Sequence, residues 1–411
     1  MDREMVQKKA YLWNMVGSIC YSLSSFYYMI LVTRICGVEE AGVFSLAFAT
    51  AQLLLTIGRF GVRTYQATDL KYEYSFREYL LSRGVTSTAM VLGAVVYVYF
   101  NHLNKWKASI FIWVSIFKMV DAIEDVFHGE MQRRFRVDLM GKMLAFRNMI
   151  SCVIFTCLLL ESRNLEFTCE MTAIMSVIIC CLGNAIALRG LLENVHLGDN
   201  KKIRNLLCTC FPIFLSTFLS LYLYNVPKYA IDHYMEVENQ AYYGILFMPS
   251  FVITLFSEII TKPLMTTITM EWERDIKKFI NIVVKLLVLI VLGTICVVVG
   301  GHFIGRYLLE LIYSVDLSCF KKEFVILLIG GGSSASAYVL YNLLIAIRYE
   351  KYIIYVYGFT SIVMTGIIYK LVKNSSMIGA AMGYLLSCGI LCIVFTITLI
   401  LVTYKQIHKQ D

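Results

Sequence analysis

Long apolar runs separated by short, mostly basic, polar segments dominate the chain. Over a window of about 19 residues they predict membrane spans near 11–35, 41–61, 84–100, 109–127, 140–160, 172–188, 206–226, 241–260, 280–303, 324–347, 352–371 and 378–402. These runs are about twice the ten-residue alternating segments of a membrane barrel, so the spans are predicted to be α-helices. Shared among about twelve helices, 411 residues leave about 34 each, which makes the connections short and leaves no room for a sizeable soluble domain.

Composition agrees with that pattern. Hydrophobic residues make up 58% of the chain and charged residues 16%, against about a quarter charged in a globular domain. With a cytoplasmic amino terminus, about 24 of the 37 Lys and Arg fall on the cytoplasmic side and about ten outside, leaving Lys118, Arg147 and Lys285 within spans. The clusters Arg133, Arg134, Arg136 and Lys201, Lys202, Arg204 decide this orientation, which puts both termini in the cytoplasm. The net charge of +8 calls for no nucleic acid, because basic loops also meet anionic lipid headgroups. Arg3, Lys8 and Lys9 resemble the charged region of a signal peptide, but no small-residue cleavage site follows, so the segment reads as a retained first helix.

Little points to catalysis. The 13 cysteines sit mainly in apolar runs, where thiols pack as small hydrophobes, and neither Cys208/Cys210 nor Cys388/Cys392 has the partners of a zinc or redox site. Six scattered histidines give no pair at metal spacing. Glu39 and Glu40 read as a solvated acidic loop rather than glycosyltransferase carboxylates. No cofactor and no enzymatic activity are expected.

The two halves look like one theme used twice. Gly37-Val38-Glu39-Glu40-Ala41-Gly42 after the first span is echoed by Val237-Glu238-Asn239-Gln240-Ala241 after the seventh. About 32 residues later come the basic amphipathic stretches Phe76-Arg77-Glu78-Tyr79 and Asp275-Ile276-Lys277-Lys278. Gln132 to Arg136 and Ala346 to Lys351 mark two tight turns. This order predicts an all-α polytopic protein with six-plus-six lobes, residues 1–195 and 196–411, around a central lumen, as in transporters that rock two repeats about one site. All four prolines, Pro212, Pro227, Pro249 and Pro263, fall in or beside the seventh and eighth spans and predict kinks there. Gly330-Gly331-Gly332 predicts a bend, a break or close helix packing in the tenth.

Ionisable residues inside spans carry the most information, since each costs about 2.5 to 3.5 kcal/mol at a helix centre and tends to face a cavity or a partner. Lys118, Asp121 and Asp125 share a face of the fourth span, which also holds Glu124. Arg147 lies as far beyond the turn near Arg134 as Asp121 lies before it, so the two are expected at similar depth on adjacent antiparallel helices. Glu258 and Lys285 flank a turn in the same way. Two roles fit: structural ion pairs, or a hydrated lumen that binds substrate and a coupling cation. Arg59 and Arg63 at the end of the second span suit either headgroup contact or a phosphate.

Three motifs resemble the Wzx-type lipid-linked oligosaccharide flippases, the polysaccharide-biosynthesis branch of the superfamily that includes the MATE drug exporters. They are Gly37 to Gly42 before the second helix, Ile57-Gly58-Arg59-Phe60-Gly61-Val62-Arg63 at its end, and Phe127-His128-Gly129-Glu130-Met131-Gln132-Arg133 at the end of the fourth. Val38 stands where the family often has proline. The resemblance implies alternating-access export of an undecaprenyl-pyrophosphate-linked oligosaccharide across the bacterial cytoplasmic membrane. It also implies an ion gradient of protons or sodium as the drive and a polysaccharide polymerase as partner. Charge and depth then suggest Arg59, Lys118, Arg147 and Lys285 as sugar-pyrophosphate contacts, and Asp121, Asp125 and Glu258 as coupling-ion or ion-pair residues. The alternatives are a MATE-like exporter of cationic drugs, for which acidic lumen residues should dominate, a peptidoglycan-precursor flippase, which would have extra helices, and a membrane polymerase or glycosyltransferase, which would need a large external loop.

Overall fold

The computed structural model describes residues 3–69, 71–187, 200–347 and 349–410. The helices are α1 (Arg3–Cys36), α2 (Val38–Arg59), α3 (Val62–Thr68), α4 (Phe76–Phe100), α5 (Lys105–Arg133), α6 (Val137–Ser162), α7 (Leu165–Ala187), α8 (Asn200–Tyr234), α9 (Val237–Arg274), α10 (Ile276–Gly300), α11 (Arg306–Tyr313), α12 (Lys321–Ala346) and α13 (Glu350–Gln410). Among the described residues no strand occurs, and ten helical segments are long and apolar enough to cross a membrane. α5 is not among them because of its charges, although its 29 residues span about 43 Å. α13, 61 residues long, breaks at Ser375 and Ser376 and supplies two crossings. The described residues thus make twelve crossings in a multi-pass, all-α membrane protein.

The chain divides into two compact units between Phe218 and Leu219, within α8. The boundary expected after residue 195 lies outside the described residues. In the first unit α5 is central, packed against α2, α3, α4, α6 and α7, and α1 lies along α6. In the second, α12 is central, packed against α9, α10 and α13.

Local chemistry explains where the helices start. The two basic amphipathic stretches form the first turns of α4 and α10. Ser75 and Glu78 form a capping box on α4, and the Asp275 carboxylate accepts from the backbone N–H groups of Lys277 (3.0 Å) and Lys278 (3.1 Å) on α10. The third span therefore begins at Phe76, a full two turns before residue 84.

The glycines of α12 produce close packing, not a break. A Cβ on Gly330 would meet the Tyr384 ring at 2.6 Å, one on Gly331 would meet Ser250 Cα at 2.8 Å, and one on Gly332 would meet the Thr294 side chain, while the helix continues through all three. Likewise α8 continues through Pro212 and Pro227, and α9 through Pro249 and Pro263.

Candidate functional site

Four charged residues of α5, Lys118, Asp121, Glu124 and Asp125, converge on one buried charge cluster in the first unit. Small residues permit the approach. Gly58 on α2 sits where a Cβ would meet Ala122 of α5 and Met90 of α4, each at 2.9 Å. Phe60 (φ 49°) and Gly61 (φ 68°) then turn the chain from α2 into α3 through the left-handed region, which glycine enters without strain. That turn aims Arg59, at the end of α2, and Arg63, at the start of α3, toward the same carboxylate of α5.

That carboxylate is Asp125, which three arginines surround. Arg63 lies at 3.3 Å, Arg83 at 3.0 Å and Arg59 at 4.0 Å. Arg83, from α4, is fully buried and also donates to the Gly58 carbonyl. The side chains of Arg59 and Arg63 remain 39% and 34% exposed.

One helical turn earlier on α5, Asp121 gathers a second set. Arg147 of α6 donates to Asp121 Oδ1, and its Nε donates to Glu124 Oε2 at 2.6 Å. Lys118 Nζ lies 3.1 Å from Asp121 Oδ2, and its ammonium is enclosed by the rings of Phe48 (4.5 Å to the centroid), Tyr21 (5.2 Å) and Phe117 (5.5 Å). The Tyr21 hydroxyl of α1 joins the two sets, donating to Asp121 at 3.2 Å and accepting from Arg59 at 3.5 Å.

The structure thus brings together Arg59, Lys118, Asp121, Asp125 and Arg147. Glu258 is half-buried on α9 and Lys285 is exposed on α10, in the second unit. Sequence reasoning missed Arg83, because the third span was started at residue 84; the capping box at Ser75 would have placed it two turns inside a helix. It also passed over Tyr21 and His128. Five cations face three carboxylates in the cluster, a surplus of two positive charges that the low-polarity surroundings do little to screen. Among the described residues no group of three or more His, Cys, Asp or Glu is placed to hold a metal ion.

The fold is that of the MATE/MOP superfamily transporters. The chain is similar to an inward-facing multidrug resistance MATE family transporter, with a TM-score of 0.73 and 12% identity over 95% of this chain and 96% of that one. It is similar also to a mutant of the Vibrio cholerae MATE transporter VcmN, with a TM-score of 0.66 and 10% identity over 99% and 98% of the chains. A third similar structure is a Pyrococcus furiosus MOP superfamily transporter whose reverse polarity of binding pocket suggests a different function (TM-score 0.60, 13% identity, 97% and 95% covered). No protein-family model matches the chain. In sequence it is similar to the capsular polysaccharide biosynthesis protein CapF of Staphylococcus aureus, 22% identical over 316 residues that cover 75% of this chain and 78% of that protein.

Proposed function

We propose that this protein carries an undecaprenyl-pyrophosphate-linked oligosaccharide across the bacterial cytoplasmic membrane by alternating access, driven by an ion gradient, for assembly of a surface polysaccharide. Both termini are cytoplasmic in this reading, and a polymerase uses the delivered substrate. The observation that carries it is the pair of partly exposed guanidiniums, Arg59 and Arg63, which bring an otherwise balanced cluster to a surplus of two positive charges. Such a pair suits a diphosphate, whose oxygens take parallel N–H donors while the lipid tail stays in the bilayer. The sequence similarity to CapF supports a polysaccharide substrate, and the transporter fold supports movement rather than synthesis.

Export of cationic drugs fits less well. It needs a carboxylate free to meet a cation, and Asp121, Glu124 and Asp125 each already hold Arg or Lys.

The test is flipping in proteoliposomes, read as protection of a fluorescent undecaprenyl-pyrophosphate oligosaccharide from an external sugar-modifying enzyme. Wild type is expected to move the lipid. Arg59→Gln with Arg63→Gln should slow it about tenfold or more, the equivalent of one lost hydrogen bond to a charged group. No movement by wild type, beside clear export of a cationic dye, would overturn the reading.

A further inference from the structure

On α5, Glu124 and His128 stand one helical turn apart, 1% and 3% exposed. Glu124 Oε1 and His128 Nε2 face each other at 3.8 Å, and neither atom has a hydrogen-bond partner. Leaving a buried polar atom unpaired costs about 1 to 3 kcal/mol, so two that face each other just beyond bonding distance form a place where one shared proton would be stabilised. An imidazolium at His128 would donate its Nε2–H to Glu124 Oε1 as that gap closes. Sodium does not suit the pair, because a hard cation takes a shell of oxygens and this site offers one free oxygen beside a nitrogen.

The surroundings set when that proton can stay. The charged groups facing the pair are Arg147 from α6, Arg59 from α2, Arg63 from α3, and Asp121 and Asp125 on α5 itself. Cys180 of α7 lies beside Glu124, and Arg83 of α4 acts through Asp125. With two positive charges already in excess, a further proton is opposed until an anion offsets them. Four residues beyond His128 on α5, Gln132 is exposed and accepts from Arg63 at 3.4 Å.

We propose that the Glu124–His128 pair is the binding site of the coupling proton, filled when an anionic headgroup docks on Arg59 and Arg63. The docking half of this statement rests on the substrate reading above; the proton site does not. In the loaded state His128 takes one proton from solvent, the imidazolium bonds to Glu124, and the anion balances the added charge. Undocking removes the balance and releases the proton.

The test uses the full chain, purified in detergent with 15N-labelled histidine, and inorganic pyrophosphate as the probe. The His128 resonance is identified by its loss in His128→Gln. Without an anion it is expected to reach the imidazolium position only at the acid end of, or below, the ordinary imidazole range of about pH 5 to 8, because the surplus positive charge opposes the proton. Its midpoint should rise by about one pH unit or more when pyrophosphate is added, the scale of a close charge partner. Glu124→Gln, checked for wild-type elution and melting, should abolish both responses. In proteoliposomes a transmembrane pH gradient should change the wild-type flipping rate and leave that of His128→Gln unchanged. A His128 that stays neutral throughout, or a His128→Gln protein that still responds to the gradient, would overturn the proposal. If His128 titrates in a manner dependent on Glu124 while pyrophosphate perturbs no resonance and no lipid is flipped, the proton site stands and the anion reading falls.

Discussion

Arg147 reaches from α6 to Asp121 on α5, twenty-six residues earlier in the chain, and the same guanidinium holds Glu124 through its Nε at 2.6 Å. Both partners are buried, so this contact fixes α6 against the helix that carries all three of the site's carboxylates. An arginine engaged by two carboxylates has little capacity left for a substrate, which separates it from the more exposed Arg59 and Arg63.

Removing Arg147 is therefore expected to act on stability first. Arg147→Ala strands the buried Glu124 and leaves Asp121 with Lys118 alone, and should cost about 3 to 5 kcal/mol. Lys118→Met should cost less, about 1 to 3 kcal/mol, because Asp121 keeps Arg147. Thermal melts in detergent decide the order. A stable Arg147→Ala protein that fails only in flipping would move Arg147 into the substrate path.

The α1–α6 contact depends on glycine. A Cβ on Gly141 would stand 2.3 Å from the Trp13 carbonyl carbon and 2.5 Å from Asn14 N, and backbone atoms cannot swing aside. Gly141→Ala should destabilise by about 1 to 3 kcal/mol. Gly84→Ala on α4, where a Cβ meets nothing within 4 Å, should instead be neutral or stabilise by about 0.5 to 1 kcal/mol. Equal melting temperatures for the two variants would contradict the packing argument.

The start of α10 should respond to acid. The backbone N–H groups of Lys278 and Lys277 hold the Asp275 carboxylate below its usual range. A carboxylate depressed in the folded state contributes fully at neutral pH, and its contribution is lost as pH falls through the folded value, below about pH 4. Amide exchange at Lys277 and Lys278 should rise in Asp275→Ala at neutral pH and stay near wild type in Asp275→Asn, which can still cap. In wild type the same loosening should appear only in acid. Protection that is unchanged in Asp275→Ala would show the cap to be dispensable.

Topology can be read from a native thiol. Cys319 is exposed in the short turn Ser318–Phe320 between α11 and α12. With both termini cytoplasmic this turn faces outward, so a membrane-impermeant maleimide should label intact cells and lose that labelling in Cys319→Ser. Labelling of Cys319 that requires permeabilised cells would invert the orientation.

Hydropathy, cap residues and charge spacing are properties of neighbouring residues, and these were legible along the chain. They gave the helices and the concentration of charge on α5; the caps at Ser75 and Asp275 that start α4 and α10 are equally local, but went unread when the third span was begun at residue 84. The equal distances of Asp121 and Arg147 from their turn even predicted a shared depth, because an antiparallel helix pair converts sequence separation into height. The tertiary structure alone decided which partner each charge takes and how exposed it remains. Asp125 is claimed by Arg59, Arg63 and Arg83 because Gly58 lets α2, α4 and α5 approach and Gly61 turns α3 back on them. Lateral distance between helices depends on the packing of several segments at once, and in a medium that screens charge poorly, differences of one or two ångströms separate a sealed ion pair such as Arg147–Asp121 from an arginine still open to a ligand.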